Sequence, residues 1–222
     1  MVFLEHNRGE RMFTMNISKI ITGVASENCY FVQKNDQLLI IDPGAEPERI
    51  LDKIDSLAAE PIAILLTHAH FDHIGALDAI RQAYDIPTYL SMIEKDWPMS
   101  TELNGSQFFH FDITAAQPDQ LIPEETEQLT IGEFQIDIRR TPGHSPGSLS
   151  YIFTDDKVVI SGDALFRESI GRTDLHGGDQ ATLLTSIRQQ LLTLPDDYHI
   201  YPGHGMSTTI AHEKEHNIFF MA

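Results

Sequence analysis

Short apolar runs separated by turn-forming residues recur along the chain from Met15 onward. Ile17–Ile21, Tyr30–Val32 and Leu38–Ile41 have the length and content of successive strands, and Asp42-Pro43-Gly44 ends the third. Residues 47–57 place Ile50, Ile54 and Leu57 at helical spacing. The continuous apolar run Ile62–Leu66 predicts a buried strand. Ile74, Leu77, Ile80 and Tyr84 then fall on one face of a helix over 74–84, and Ile86–Leu90 reads as another strand. Periodicity dissolves between Trp97 and Pro123, a stretch that holds the aromatic cluster Phe108-Phe109-His110-Phe111. It returns as two-residue alternation at Phe134, Ile136 and Ile138, followed by strands at Leu149–Phe153 and Lys157–Ile160. Asp179 is the expected N-cap of a helix carrying Leu183, Leu184, Ile187 and Leu191. A short strand at His199–Tyr201 and a final helical piece close the chain. Strands followed by a helix, twice over, with no repeat or low-complexity tract, predict an α/β (α+β) fold. Its two mixed sheets pack face to face with helices outside.

Composition narrows the class. With 222 residues, 41% of them hydrophobic, one large core is available. A single domain is expected over 15–222, preceded by an N-terminal extension or cloning remnant over 1–14. No apolar run approaches the ~18 residues of a membrane helix, and the charged N-terminus lacks the apolar core of a signal peptide. A cytoplasmic protein without membrane contact is expected. The one cysteine, Cys29, forbids an internal disulfide and sits in a strand-like run, where a small buried hydrophobe is expected. The formal charge of −18 argues against a nucleic-acid partner and leaves a small-molecule substrate.

The chemistry is concentrated at strand ends. His68-Ala69-His70-Phe71-Asp72-His73 packs three imidazoles and a carboxylate into six positions directly after the buried run 62–66. Imidazole nitrogen and carboxylate oxygen are the donors that zinc and related divalent ions prefer. Three further strand ends carry matching donors: His144 in Thr141-Pro142-Gly143-His144-Ser145-Pro146-Gly147, Asp163 in Ser161-Gly162-Asp163, and His204 in Pro202-Gly203-His204-Gly205. The glycines are expected to let the backbone turn tightly there. Five His and two Asp exceed the three protein ligands of a single catalytic zinc and fit two metals sharing a carboxylate. His212 and His216 stand at i and i+4 on the last helix, a spacing that could bind metal, and are expected on the surface; His110, His176 and His199 show no partner pattern.

These residues resemble the metallo-β-lactamase superfamily, through nearly the whole chain from Met15. The HxHxDH signature stands at His68–His73. Ser161-Gly162-Asp163-Ala164-Leu165-Phe166 with Ile170-Gly171-Arg172-Thr173-Asp174 is closer to its glyoxalase II-like branch. The resemblance implies a four-layer αβ/βα sandwich with two divalent metal ions, zinc first among them and iron or manganese as alternatives. His68, His70 and His144 are implied on one ion, Asp72, His73 and His204 on the other, and Asp163 between them. It further implies hydrolysis of an acyl-thioester by a hydroxide bridging the two metals, with Asp72 as the catalytic carboxylate orienting it. A mononuclear-iron persulfide dioxygenase and a lactonase with the same ligands are the alternatives. The common dizinc β-lactamases place Cys where this chain has Asp163, which argues against antibiotic hydrolysis as the main activity. Two departures bear on the glutathione carrier. Only 18 residues follow His204, where full-length glyoxalase II enzymes have a helical domain, and Asn217-Ile218-Phe219 stands where the family has Asn-Pro-Phe.

Overall fold

The structure is a computed structural model and describes residues 15–221; the expected extension over 1–14 lies outside the described residues. Strands β1 (Asn16–Thr22), β2 (Glu27–Lys34) and β3 (Gln37–Ile41) form an antiparallel meander. Helix α1 (Pro47–Leu57) leads to β4 (Glu60–Leu65), which pairs parallel with β3. Helices α2 (Phe71–Ile74) and α3 (Leu77–Tyr84) precede β5 (Thr88–Ser91), and β6 (Gln120–Ile122) adds a parallel edge. The first sheet therefore runs β1-β2-β3-β4-β5-β6. The second is built from β7 (Gln128–Ile131), β8 (Phe134–Arg140), β9 (Leu149–Phe153) and β10 (Val158–Gly162). After the small hairpin β11 (Leu165–Phe166) and β12 (Ser169–Ile170) and helix α4 (Gln180–Ser186), it gains β13 (His199–Pro202) and β14 (Thr208–Thr209). Its order is β14-β13-β10-β9-β8-β7, and α5 (Ile210–His216) closes the described chain.

Three apolar clusters explain the four layers. Val32, Leu39, Ile41 and Leu65 from one sheet meet Phe134, Ile136, Tyr151 and Ile160 from the other. The alternate residues Phe31, Leu38, Ile40 and Ile64 face Ile50 and Ile54 of α1 and Leu77 and Ile80 of α3. Ile152, Val159 and Ile200 meet Leu183, Ile187 and Ile210 on the far side. Strands buried on both faces read as unbroken apolar runs, which is how β2, β3, β4, β9 and β10 stand out in the sequence. Asp179 caps α4 as expected, its carboxylate accepting the Thr182 N–H at 2.7 Å.

Two expectations fail locally. The helix over 74–84 is broken at Gly75–Ala76, because the Ala76 N–H turns to Pro43 O at 3.0 Å instead of continuing the helical ladder. Gly75 also packs against the backbone of Gly44, where a Cβ would lie 2.4 Å from Gly44 O. The supposedly irregular stretch 97–123 contains a 3₁₀ turn at Ser106–Phe109 and strand β6, whose three residues are too few to show a period. Cys29 is buried, as expected. Among the described residues no helix is long and apolar enough to cross a membrane.

Candidate metal centre

All seven donors singled out in the sequence come together along one edge of the sandwich. The loops after β4, β8, β10 and β13 deliver five of them, and the short helix α2 that follows β4 carries Asp72 and His73. The two sheets are tied together there: Leu149 N–H donates to Thr67 O at 2.8 Å, Tyr151 Oη–H to Leu66 O at 2.7 Å, and Asn28 N–H to Gly203 O at 2.7 Å.

The first group is made of three imidazoles. His144 Nε2 lies 2.8 Å from His70 Nδ1 and 3.1 Å from His68 Nε2. The opposite nitrogens set two of the tautomers. His144 Nδ1 donates to Arg172 O at 2.7 Å. Thr67 Oγ1 gives its proton to Asp42, so at 3.1 Å it can accept from His68 Nδ1. Each bond leaves Nε2 as a bare lone pair pointing inward, the arrangement that metal-ligating histidines adopt. Burial holds all three imidazoles below their ordinary range, His70 down to about 3, so they are neutral donors at physiological pH.

The second group mixes charge. His204 Nε2 lies 3.3 Å from Asp72 Oδ2 and 3.3 Å from Asp163 Oδ2, and His73 Nε2 lies 3.5 Å from Asp163 Oδ1. Asp163 Oδ2 is also 3.5 Å from His144 Nε2, so this carboxylate reaches both groups. His73 Nδ1 donates to Asp42 Oδ2 at 3.0 Å, and His204 Nδ1 to Ala25 O at 3.1 Å. Burial disfavours charge on His73, but Asp163, Asp42 and Asp72 outweigh it and raise its pKa well above the ordinary value. His204 is raised to about 10, where Asp163 and Asp72 likewise overcome burial. Burial opposes ionisation of Asp163 and Asp72, yet the imidazoles of His204 and His73 hold both carboxyls below their usual range.

The donor set fits metal ions. His73 Nε2 and Asp163 Oδ1 are buried with no hydrogen-bond partner, a costly arrangement that a bound cation satisfies. His70 Nε2 is buried without a partner as well. Donor atoms of His68, His70 and His144, and of Asp72, His73 and His204, each converge within 4.8 Å.

Sequence reasoning missed two supporting residues. Asp42 accepts from Thr67 N at 2.7 Å, from Thr67 Oγ1 at 2.6 Å and from His73 Nδ1. It stood in Asp-Pro-Gly and read as a turn, although it is a strand-end aspartate like Asp163 and the same signal would have found it. Arg172 was noted only within a family segment. It lines the cavity over the donors, paired with Asp174 at 2.7 and 2.9 Å, its guanidinium 5.4 Å from the Phe109 ring centre. That cavity, of about 360 Å³, is walled by Phe71, Phe109, Phe111, Phe166 and Leu175. Phe71 packs against Phe109 and Phe111 with ring centres 5.2 and 5.7 Å apart. The aromatic cluster of the 97–123 stretch thus contributes to the site's wall.

A domain model of the metallo-β-lactamase superfamily matches residues 22–204, a span that takes in all seven donors. The chain belongs to that superfamily. It is a metallo-hydrolase of the group, with the fold the sequence predicted. A probable metallo-hydrolase of Bacillus subtilis is 48% identical over 206 residues, covering 92% of this chain and 97% of the relative. The hydroxyacylglutathione hydrolase GloC of Haemophilus influenzae is 39% identical over 208 residues, covering 92% and 98%. Among solved structures, the BLEG-1 B3 metallo-β-lactamase superposes with a TM-score of 0.91 at 43% identity, covering 93% of this chain and all of that one. A protein crystallised in a di-iron-bound form gives 0.81 at 36% identity, covering 91% and 99%.

Proposed function

We propose that this protein is a glyoxalase II-like thioesterase that uses two divalent ions, zinc first, held by His68, His70 and His144, by Asp72, His73 and His204, and by Asp163 between them. The observation that carries this is the single carboxylate of Asp163 within 3.5 Å of imidazoles from both groups. Similarity to GloC supports an acyl-glutathione substrate, and similarity to the di-iron-bound protein supports two metals with iron as an alternative. When bound, the ions supply a hydroxide at neutral pH and polarise the acyl carbonyl. The chain's own residues do the rest. Asp72 is held ionised and faces the cavity, so it accepts a hydrogen bond from the attacking water and fixes its direction. The Arg172 and Thr67 oxygens keep His144 and His68 in the tautomers that leave Nε2 free. Phe71, Phe109 and Phe111 exclude bulk water from the acyl group, which strengthens every electrostatic contact inside. Arg172 offers its guanidinium to a substrate carboxylate in exchange for Asp174.

The test is metal analysis joined to a screen of 2-hydroxyacyl thioesters of glutathione, lactones, persulfides and β-lactams. Two metals per chain and thioester hydrolysis without oxygen uptake are expected. One iron per chain with oxygen consumption on persulfides would replace the proposal with a dioxygenase. Faster turnover of lactones, or of β-lactams as the BLEG-1 likeness would have it, would keep the metal centre and change the substrate.

A further inference from the structure

The three imidazoles of the first group set a structural problem. Their facing nitrogens stand 2.8 and 3.1 Å apart, and at 3.1 Å the inward lone pairs of His144 Nε2 and His68 Nε2 repel. Two separate loops must therefore be held against each other, and the loop carrying His68 and His70 must also bend for both rings to reach one point. A buried carboxylate outside the ligand set does this. Glu94, in the 3₁₀ turn after β5, is fully buried. Its Oε2 accepts the N–H of Ala69, the residue between His68 and His70, at 2.8 Å. Its Oε1 accepts the Gly147 N–H at 2.7 Å and the Ser145 hydroxyl at 2.5 Å, both from the turn that carries His144. Charge-assisted bonds of this kind are about twice as strong as neutral ones. The fit is close on the far side too: a Cβ on Gly147 would lie 2.8 Å from Glu94 Cγ and 2.9 Å from its Oε1, so only glycine lets the turn approach the carboxylate.

We infer that Glu94 is a positioning residue: it clamps the His68–His70 loop to the His144 turn so that the three imidazoles are already converged when a metal arrives. The inference rests on the metal-centre proposal above. Among the described residues Glu94 makes no hydrogen bond to the three rings, and no carboxylate of the ligand set makes one to Ala69, Ser145 or Gly147.

Glu94→Gln keeps the shape but replaces one acceptor oxygen with an N–H₂ that cannot bond to a backbone N–H. Zinc titration of the full chain, followed by imidazole nitrogen NMR, reads the His68/His70/His144 and His73/His204 groups separately. In Glu94→Gln, zinc affinity at the three-imidazole group should fall roughly 10- to 100-fold, the usual cost of losing an outer support. The His73/His204 group should fall less. Ser145→Ala, which removes one donor and leaves the carboxylate, should show a smaller loss in the same direction, and it carries the test if Glu94→Gln does not fold. A purely structural Glu94 would lower the melting temperature of metal-free and zinc-loaded protein alike while leaving the ratio of the two affinities unchanged; that result overturns the inference. A wild-type chain that takes up no metal would instead overturn the metal centre itself.

Discussion

Alanine at Gly203 is a sharp test of the candidate metal centre, because the reason for glycine there is contact and not conformation. Gly203 has no left-handed φ, so its backbone accepts an L-residue without strain. A Cβ at this position, however, would sit 2.1 Å from Asp163 Oδ1 and 2.9 Å from His73 Cε1. An ordinary carbon–oxygen contact is about 3.3 Å. The Asp163 carboxylate must therefore move by about 1 Å, and it is the group that joins the two sets of donors. Overpacking of this size costs roughly 1–3 kcal/mol of stability. A misplacement of about 1 Å in the reacting geometry costs about 100-fold in rate, or roughly 2.7 kcal/mol in the barrier. Gly205, two residues on, is the control. Its φ is +77° and a Cβ there would meet nothing within 4 Å. Gly205→Ala should cost on the order of 1–2 kcal/mol from backbone strain and leave metal content near wild type. The assays are metal stoichiometry by mass spectrometry, thermal melts, and kcat/KM on a hydroxyacyl thioester. Wild-type metal content and rate in Gly203→Ala, or equal metal loss in both variants, would refute the assignment of Asp163 as the shared ligand.

Asp72→Ala and His144→Ala should each abolish nearly all turnover while the circular dichroism spectrum stays native; wild-type rates in either would contradict the proposed roles. Asp42→Asn removes the carboxylate behind His73 Nδ1 and should weaken metal binding at the Asp72/His73/His204 group roughly 10- to 100-fold, measured by chelator competition. Burial pushes the Cys29 thiol well above its ordinary value, with Glu27 and Asp42 adding to the shift. Because a raised pKa lowers the thiolate fraction, iodoacetamide at pH 8 should leave Cys29 unmodified until denaturant is added. Labelling of the native protein at the rate of a free thiol would contradict the burial.

Much of this fold was legible because its strands are covered on both faces. Continuous apolar runs such as Leu38–Ile41 and Ile62–Leu66 are long enough to register without a partner in view. The same logic hid β6, three residues between Pro118 and Pro123 that become a strand only through pairing with β5. It also hid the break after α2, which depends on the Pro43 carbonyl reaching Ala76 from another part of the chain.

The sequence by itself determined the donor chemistry: seven His and Asp residues, each shortly after a strand-like segment, in the order and spacing of the superfamily. Local residue type suffices for that, since ligand identity and strand periodicity are both written in adjacent positions. The resemblance implied how the donors group, and the tertiary structure supplied the contacts by which each donor faces another. That Asp163 reaches both groups, that Asp42 stands behind His73, and that Glu94 ties Ala69 to Gly147 are consequences of two sheets packing face to face, with their strand ends meeting along one edge. Such contacts join residues far apart in the chain, and no local pattern encodes the distance between them. The Pro-Gly-His turns show the division most clearly. The sequence showed that glycine precedes each histidine. The fold decided that Gly203 is there to leave room for a carboxylate, whereas Gly143, with φ at +127°, is there for its backbone as well.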